Sequence, residues 1–192
     1  MKQPDAELGA LKYEIKMLTK CAELYVEVAV KLGYSVYADS TSGTPAITLS
    51  HGDPSKKDAF LEAFLVHARL LGEFAADKGR PSDIQVSGFV LDPVQWKNRA
   101  DAWWHNDFQK HKDSMDKWLA HLTKARAMPP KQQWDIPEIA RVLADILDSF
   151  LAAARSDRID AQNKTKLKEF VRRLRNLSGG VSSQRVFAAG SP

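Results

Sequence analysis

Residues 60–75 read FLEAFLVHARLLGEFA. Phe60, Phe64, Leu71 and Phe74 fall on one stripe of a helical wheel, with Leu61, Leu65, Ala68 and Ala75 beside it. Spacings of three and four mark an amphipathic α-helix with a buried face. His67 falls on that stripe, and Arg69 lies in the same apolar stretch with Glu73 four residues on. Imidazole and guanidinium are costly to bury unless they are paired. Arg69 and Glu73 can pair on one face of the helix. Pro54-Ser55 opens this helix, which spans about Lys56 to Lys78, and Gly79-Arg80-Pro81 terminates it.

The same period recurs on both sides. From Glu7 to Leu32 it runs through Leu8, Leu11, Ile15, Leu18, Ala22, Tyr25, Ala29 and Leu32, with Gly33 at the capping position. Cys21 within it reads as a small buried hydrophobe. Ser82 to Pro93 is irregular, with Ile84, Val86, Phe89, Val90 and Leu91 as apolar anchors, and Pro93 starts a short helical piece. Trp103 to Ala127 is predicted as a further long helix, with Phe108, Met115, Leu119 and Leu122 inward. Asp135 is placed to cap the next helix, with Pro137 in its first turn and Ile139, Val142, Leu143, Ile146, Leu147 and Phe150 leading to about Ala154. A last helix spans Asn163 to Leu177 and is stopped by Ser178-Gly179-Gly180.

Residues 33–53 break the period. Tyr34–Tyr37 and Ala46–Leu49 flank the turn-rich run Ser40-Thr41-Ser42-Gly43-Thr44-Pro45. The prediction is therefore an all-α protein: an antiparallel bundle of four to five long helices with a small irregular or β-hairpin insertion near residues 33–53. One helical domain covers residues 1–177, and 178–192 form a flexible tail.

The chain has 192 residues, 44% hydrophobic and 27% charged, enough to bury a core without disulfides. A single cysteine excludes a disulfide framework and a multi-Cys zinc site. No apolar run approaches the roughly 20 residues that span a bilayer. Met1-Lys2-Gln3-Pro4-Asp5 lacks the apolar stretch of a signal peptide, so a cytoplasmic protein without membrane contact is expected. The net charge of +4 is unevenly placed. Arg155 to Pro192 holds nine Lys/Arg against three Asp/Glu, leaving 19 basic and 21 acidic residues in the rest.

Three groups of residues can carry chemistry. His67, Arg69 and Glu73 form the first with His121 and Arg126 of the later helix, as a polar network if those helices pack together. Its bland reading is structural, and its sharper one is a pocket for a small anion. Arg99 and His105 form the second. A histidine near neutrality serves as acid or base towards a ribose hydroxyl, and an arginine holds the phosphate, with no metal needed. The third is the basic last helix, with Lys164, Lys166, Lys168, Arg172, Arg173 and Arg175 against Glu169. Such a row can track phosphates or serve as a solvated outer face. Trp96, Trp103, Trp104, Trp118 and Trp134 read as core anchors or as a base-stacking platform. No His-x-x-x-His, Gly-x-Ser-x-Gly or Gly-rich phosphate loop is present, and neither a metal nor a cofactor is expected.

The pair of motifs Phe64-Leu65-Val66-His67-Ala68-Arg69 and Ala120-His121-Leu122-Thr123-Lys124-Ala125-Arg126 resembles a set of bacterial and phage helical proteins akin to the HEPN class (higher eukaryotes and prokaryotes nucleotide-binding). The resemblance spans about Phe60 to Phe150. It implies a helical bundle, often a homodimer, in toxin or defence systems that bind or cleave RNA. Active members carry an arginine, a polar residue and, after a short spacer, a histidine. Arg99 and His105 match the outer positions, while Ala100 stands where the polar residue is expected. Two functions are thus in view: RNA binding or metal-independent RNA cleavage, and a non-enzymatic helical binding module with a structural His/Arg network.

Overall fold

The computed structural model describes residues 3–31, 54–80, 82–120 and 134–183. Among them the chain is an all-α bundle. The expected insertion at 33–53, the end of the third long helix, His121, Arg126 and residues 184–192 lie outside the described residues. Helices α1 (Gln3–Lys31) and α2 (Pro54–Ala75) come first. A 3₁₀ turn (Val86–Gly88) leads into α3 (Pro93–Trp103), a π-turn (Trp104–Phe108) and α4 (Gln109–Ala120). Helices α5 (Ile136–Ala153) and α6 (Ala161–Ser183) complete the bundle.

Side-chain pairs fix the directions. His67 lies on Glu14 while Leu11 and Phe74 wall one cleft, so α2 runs antiparallel to α1. Arg69 on Asp116 and Lys112 on Glu73 set α4 antiparallel to α2. The indole N–H of Trp103 donates to the Val142 carbonyl (3.2 Å) and Trp96 packs edge-on against Phe150, so α3 runs antiparallel to α5. A short link returns α6 against α5, where Arg175 meets Asp145. Taking α3, the π-turn and α4 as one rod, five rods alternate in direction. An odd number of alternating rods that closes on itself must place its first and last side by side in parallel. Lys12 with Asn163, Thr19 with Phe170 and Glu23 with Arg173 show that parallel seam, at a constant offset of 150–151 residues. The antiparallel expectation holds between successive rods, and the first and last rods meet in parallel.

The core is drawn from the predicted stripes, with Leu8, Tyr25, Phe60 and Phe74 only partly buried. Ile15, Leu18, Phe64, Leu65, Leu71, Phe108, Met115, Leu143, Leu147, Phe150, Val171 and Leu174 are all buried. Thr19 is the buried polar residue among them, and its hydroxyl donates to the Ile15 carbonyl at 2.9 Å. Of the connector's predicted anchors, Val86, Phe89 and Val90 are buried while Leu91 is exposed. Residues 89–91 pair instead by backbone with the end of α5, Leu91 N–H to the Ala153 carbonyl and Arg155 N–H to the Phe89 carbonyl.

Three local expectations are corrected. The helix predicted from Trp103 is a continuation of α3 through a π-turn, since Trp103 and Phe108 stack at 4.9 Å and both must face the core. One extra residue per turn rotates Phe108 back inward. Helix α2 ends at Ala75, ahead of Gly79. Asp77 takes the left-handed conformation (φ 55°), with Lys78 N–H on the Glu73 carbonyl and Asp77 N–H on the Phe74 carbonyl, a Schellman cap. Ser178-Gly179-Gly180 does not stop α6, which continues to Ser183.

One of the capping residues, Asp135, is predicted by the sequence, and Asp92 and Asp160 cap in the same way. Asp92 accepts from Gln95 N–H, Asp135 from Glu138 N–H and Asp160 from Asn163 N–H, each at the N-terminus of its helix.

Glycine matters at one close approach. A Cβ on Gly72 would lie 2.1 Å from the Phe108 ring, which is fully buried and cannot retreat. Gly72→Ala is expected to cost about 1–3 kcal/mol by overpacking. Asp77→Gly is expected to gain about 0.5–1 kcal/mol by relieving the left-handed cap. Urea unfolding of both variants checks the two signs.

Candidate functional site

Helix α2 sends its polar side chains in two directions. His67 turns to α1, where its Nδ1 lies 2.6 Å from a Glu14 carboxylate oxygen and its ring meets Tyr13 nearly edge-on. Two residues on, about 200° round the helix, Arg69 turns to α4. Its guanidinium reaches Glu73 at 3.2 Å, as the spacing predicted, and Asp116 at 3.0 Å. Lys112 closes the figure, 2.6 Å from Asp116 and 4.0 Å from Glu73. His67 and Arg69 therefore belong to separate interfaces and do not converge. His121 and Arg126, the other expected members, lie outside the described residues.

The four charges select an orientation. On α2 the order along the chain is Arg69 then Glu73, and on α4 it is Lys112 then Asp116. Antiparallel docking sets each cation opposite an anion, whereas parallel docking would oppose like charges. The side chains are only partly buried, so each pair is worth about 0.2–1 kcal/mol. Lys112 and Asp116 escaped the sequence reading, although their own four-residue spacing was the available signal.

Arg99 and His105 lie on the outside of the bundle. Both are exposed, Arg99 on α3 and His105 on the π-turn, and neither makes a hydrogen bond or ion pair among the described residues. Among the described residues no carboxylate or carbonyl orients the His105 ring. The polar side chain between them, Asp101, is engaged by Lys97 (2.6 Å) and Lys78 (3.4 Å). The Lys97 hydrogen bond, with help from Lys78, holds its carboxyl below the usual carboxylate range.

The tryptophans are core anchors. Trp96, Trp103 and Trp104 are buried, and the Trp96 N–H donates to the Ala75 carbonyl at 2.9 Å. Trp118 and Trp134 meet edge to face and are partly buried. None of the first three offers a free face for a base.

The basic helix α6 is half spent on architecture. Arg173 forms a two-pronged pair with Glu23 of α1, Arg175 reaches Asp145 and Asp148 of α5, and Arg172 is held by Glu169. Arg158, just before α6, pairs with Glu7. Lys164, Lys166 and Lys168 make no such contact among the described residues.

A cleft of about 330 Å³ lies where α1, α2 and the loop after α2 meet. Leu11, Leu70 and Phe74 supply apolar wall, and Glu14, Glu73 and Asp83 supply carboxylates. An anion would meet like charge there. Neither His67 nor Arg69 lines this cleft, and each is turned to its own carboxylate partner. The lining suits an apolar or cationic group.

His111 is the residue whose state sequence reasoning passed over. Its Nε2 is buried and has no hydrogen-bond partner among the described residues. Burial, and then the nearby Lys110, push its pKa below 6.5 despite the opposing pull of Glu138 and Asp135. No helix among the described residues is long and apolar enough to cross a membrane. Compared with family models, curated proteins and solved structures, the chain matches none.

Two outcomes are expected. Asp116→Arg should cost about 1 kcal/mol by gathering three cations, and adding Arg69→Asp should restore most of it, as read by urea unfolding. The folded His111 binds its proton less readily than the unfolded one. Its contribution to stability is thus complete above pH 6.5 and is lost as pH falls through the lower folded pKa. Melting curves of His111→Phe should show a flatter fall on the acid side of pH 6.5 than those of the parent protein.

Proposed function

We propose that this chain is a non-enzymatic helical binding module of the cytoplasm, in which the His/Arg networks serve as structure. The observation that carries this reading is the contrast between two sets of polar residues. His67, Arg69 and Glu73 each have a partner on a neighbouring helix or on their own. Arg99 and His105 stand exposed, with nothing among the described residues to fix a tautomer or hold the two in one geometry. General acid–base catalysis relies on such positioning.

A second reading rests on one specific observation. His105 sits on a π-turn, and π-turns inside α-helices frequently occur at functional sites. On that reading the chain is a metal-independent ribonuclease like the HEPN class it resembles. The core stack of Trp103 on Phe108 gives this π-turn a packing role of its own, which favours the first reading.

One comparison decides between them. Purified protein incubated with RNA in EDTA should leave the RNA intact. Cleavage that disappears in the Arg99→Ala, His105→Ala double variant would establish the nuclease instead. His67→Ala should lower thermal stability on the scale of a broken interhelical network, about 1–3 kcal/mol, without altering any RNA band.

A further inference from the structure

We propose that the outer face of the parallel α1/α6 seam binds single-stranded nucleic acid through its phosphate chain, with Tyr13 as a stacking platform. This names a partner for the binding module and rests on that reading. The fold sorts the basic residues of this region into two groups. The arginines of α6 are neutralised by Glu23, Glu169, Asp145 and Asp148. The lysines are not. Lys16 and Lys20 of α1, and Lys166 and Lys168 of α6, are exposed and make no ion pair or hydrogen bond among the described residues. Lys12 donates to Asn163, an uncharged partner.

These lysines form a track. Lys12, Lys16 and Lys20 recur every four residues, so they rise along one side of α1 about 6 Å at a time. The constant offset of 150–151 residues between α1 and α6 puts Lys166 level with Lys16 across the seam. The acids nearest the track are occupied: Glu23 by Arg173, Glu169 by Arg172, and Asp160 by the N-terminus of α6. What remains is a run of mobile point charges, the form of cation that follows phosphates without reading bases.

Tyr13 decides between polyanions. It precedes Lys16 by three residues and Lys20 by seven, which keeps it on their side of α1. It is 54% exposed, although its ring meets His67. An exposed aromatic ring beside a row of lysines is how sequence-tolerant single-strand binding is built. A bilayer would want aliphatic side chains at the same face. Among the described residues the other large exposed apolar side chains are Val66 and Leu70 on α2, Leu91 just before α3 and Val94 in its first turn.

The test is fluorescence anisotropy of a short labelled single-stranded RNA across a salt series, with each sample then run on a denaturing gel. Lys16→Glu with Lys166→Glu should weaken binding tenfold or more. It should also lower the salt slope by about 1.4, since each neutralised phosphate of a single strand contributes about 0.7. Tyr13→Ala should weaken binding about tenfold and leave the slope unchanged, because stacking releases no counterions. Lys110→Glu with Lys117→Glu, an equal change of charge on α4, should weaken it far less. RNA that stays unbound, equal loss in both lysine doubles, or preference for polyglutamate or phosphatidylserine vesicles over RNA would overturn the proposal. The gel separates the two claims. RNA bound at the seam and cut contradicts the non-enzymatic reading while upholding the seam, and RNA uncut and unbound contradicts the seam alone.

Discussion

The contact of the Phe108 ring with the bare backbone of Gly72 is the constraint on which the arrangement rests. The ring occupies the space a side chain on α2 would need. Phe108 reaches it because the π-turn rotates that position inward. From there Phe108 at the end of the π-turn and Lys112 and Asp116 of α4 form one stripe at four-residue spacing. The same approach that seats the ring therefore brings Lys112 to Glu73 and Asp116 to Arg69. Steric fit sets the distance between the helices, and the alternating charges set their direction. Dispersion and burial supply most of the energy, while the ion pairs exclude the reversed docking.

This explains how polar residues within an apolar stretch can look like a site and act as architecture. A histidine and an arginine two residues apart lie on nearly opposite sides of a helix. Helix α2 is flanked on those sides by α1 and α4, and each flank brings its own carboxylate. The residues left over for interaction are those the bundle does not use: Arg99 and His105 on one side, the lysines of α1 and α6 on another.

Much of the fold was legible before the structure. The periods of three and four in α1, α2 and α5 named most of their core residues, and Asp135 with Pro137 named the start of α5. These signals are local, so a single sequence carries them. The pairing of Arg69 with Glu73 was legible for the same reason. The partners His67–Glu14, Arg69–Asp116 and Arg173–Glu23 were not, because each joins elements far apart in the chain. The parallel seam was hidden too, since it follows from the number of rods and not from any residue in them. The π-turn left one trace, the demand that Trp103, Trp104 and Phe108 all be buried, which no straight α-helix satisfies as well. The basic C-terminal segment was legible as charge, but its division into paired arginines and unpaired lysines depends on the acids of α1 and α5.

The central claim is that α4 crosses α2 at Gly72 with Phe108 in the gap, and the most direct test is a nuclear Overhauser measurement on the folded protein. A ring centred there should give cross-peaks from the Phe108 aromatic protons to the Gly72 Hα protons, with those Hα resonances displaced by the ring current. Absence of both, with Gly72 shifts ordinary for an exposed helical glycine, would contradict the docking and with it the separation of His67 and Arg69 into different interfaces.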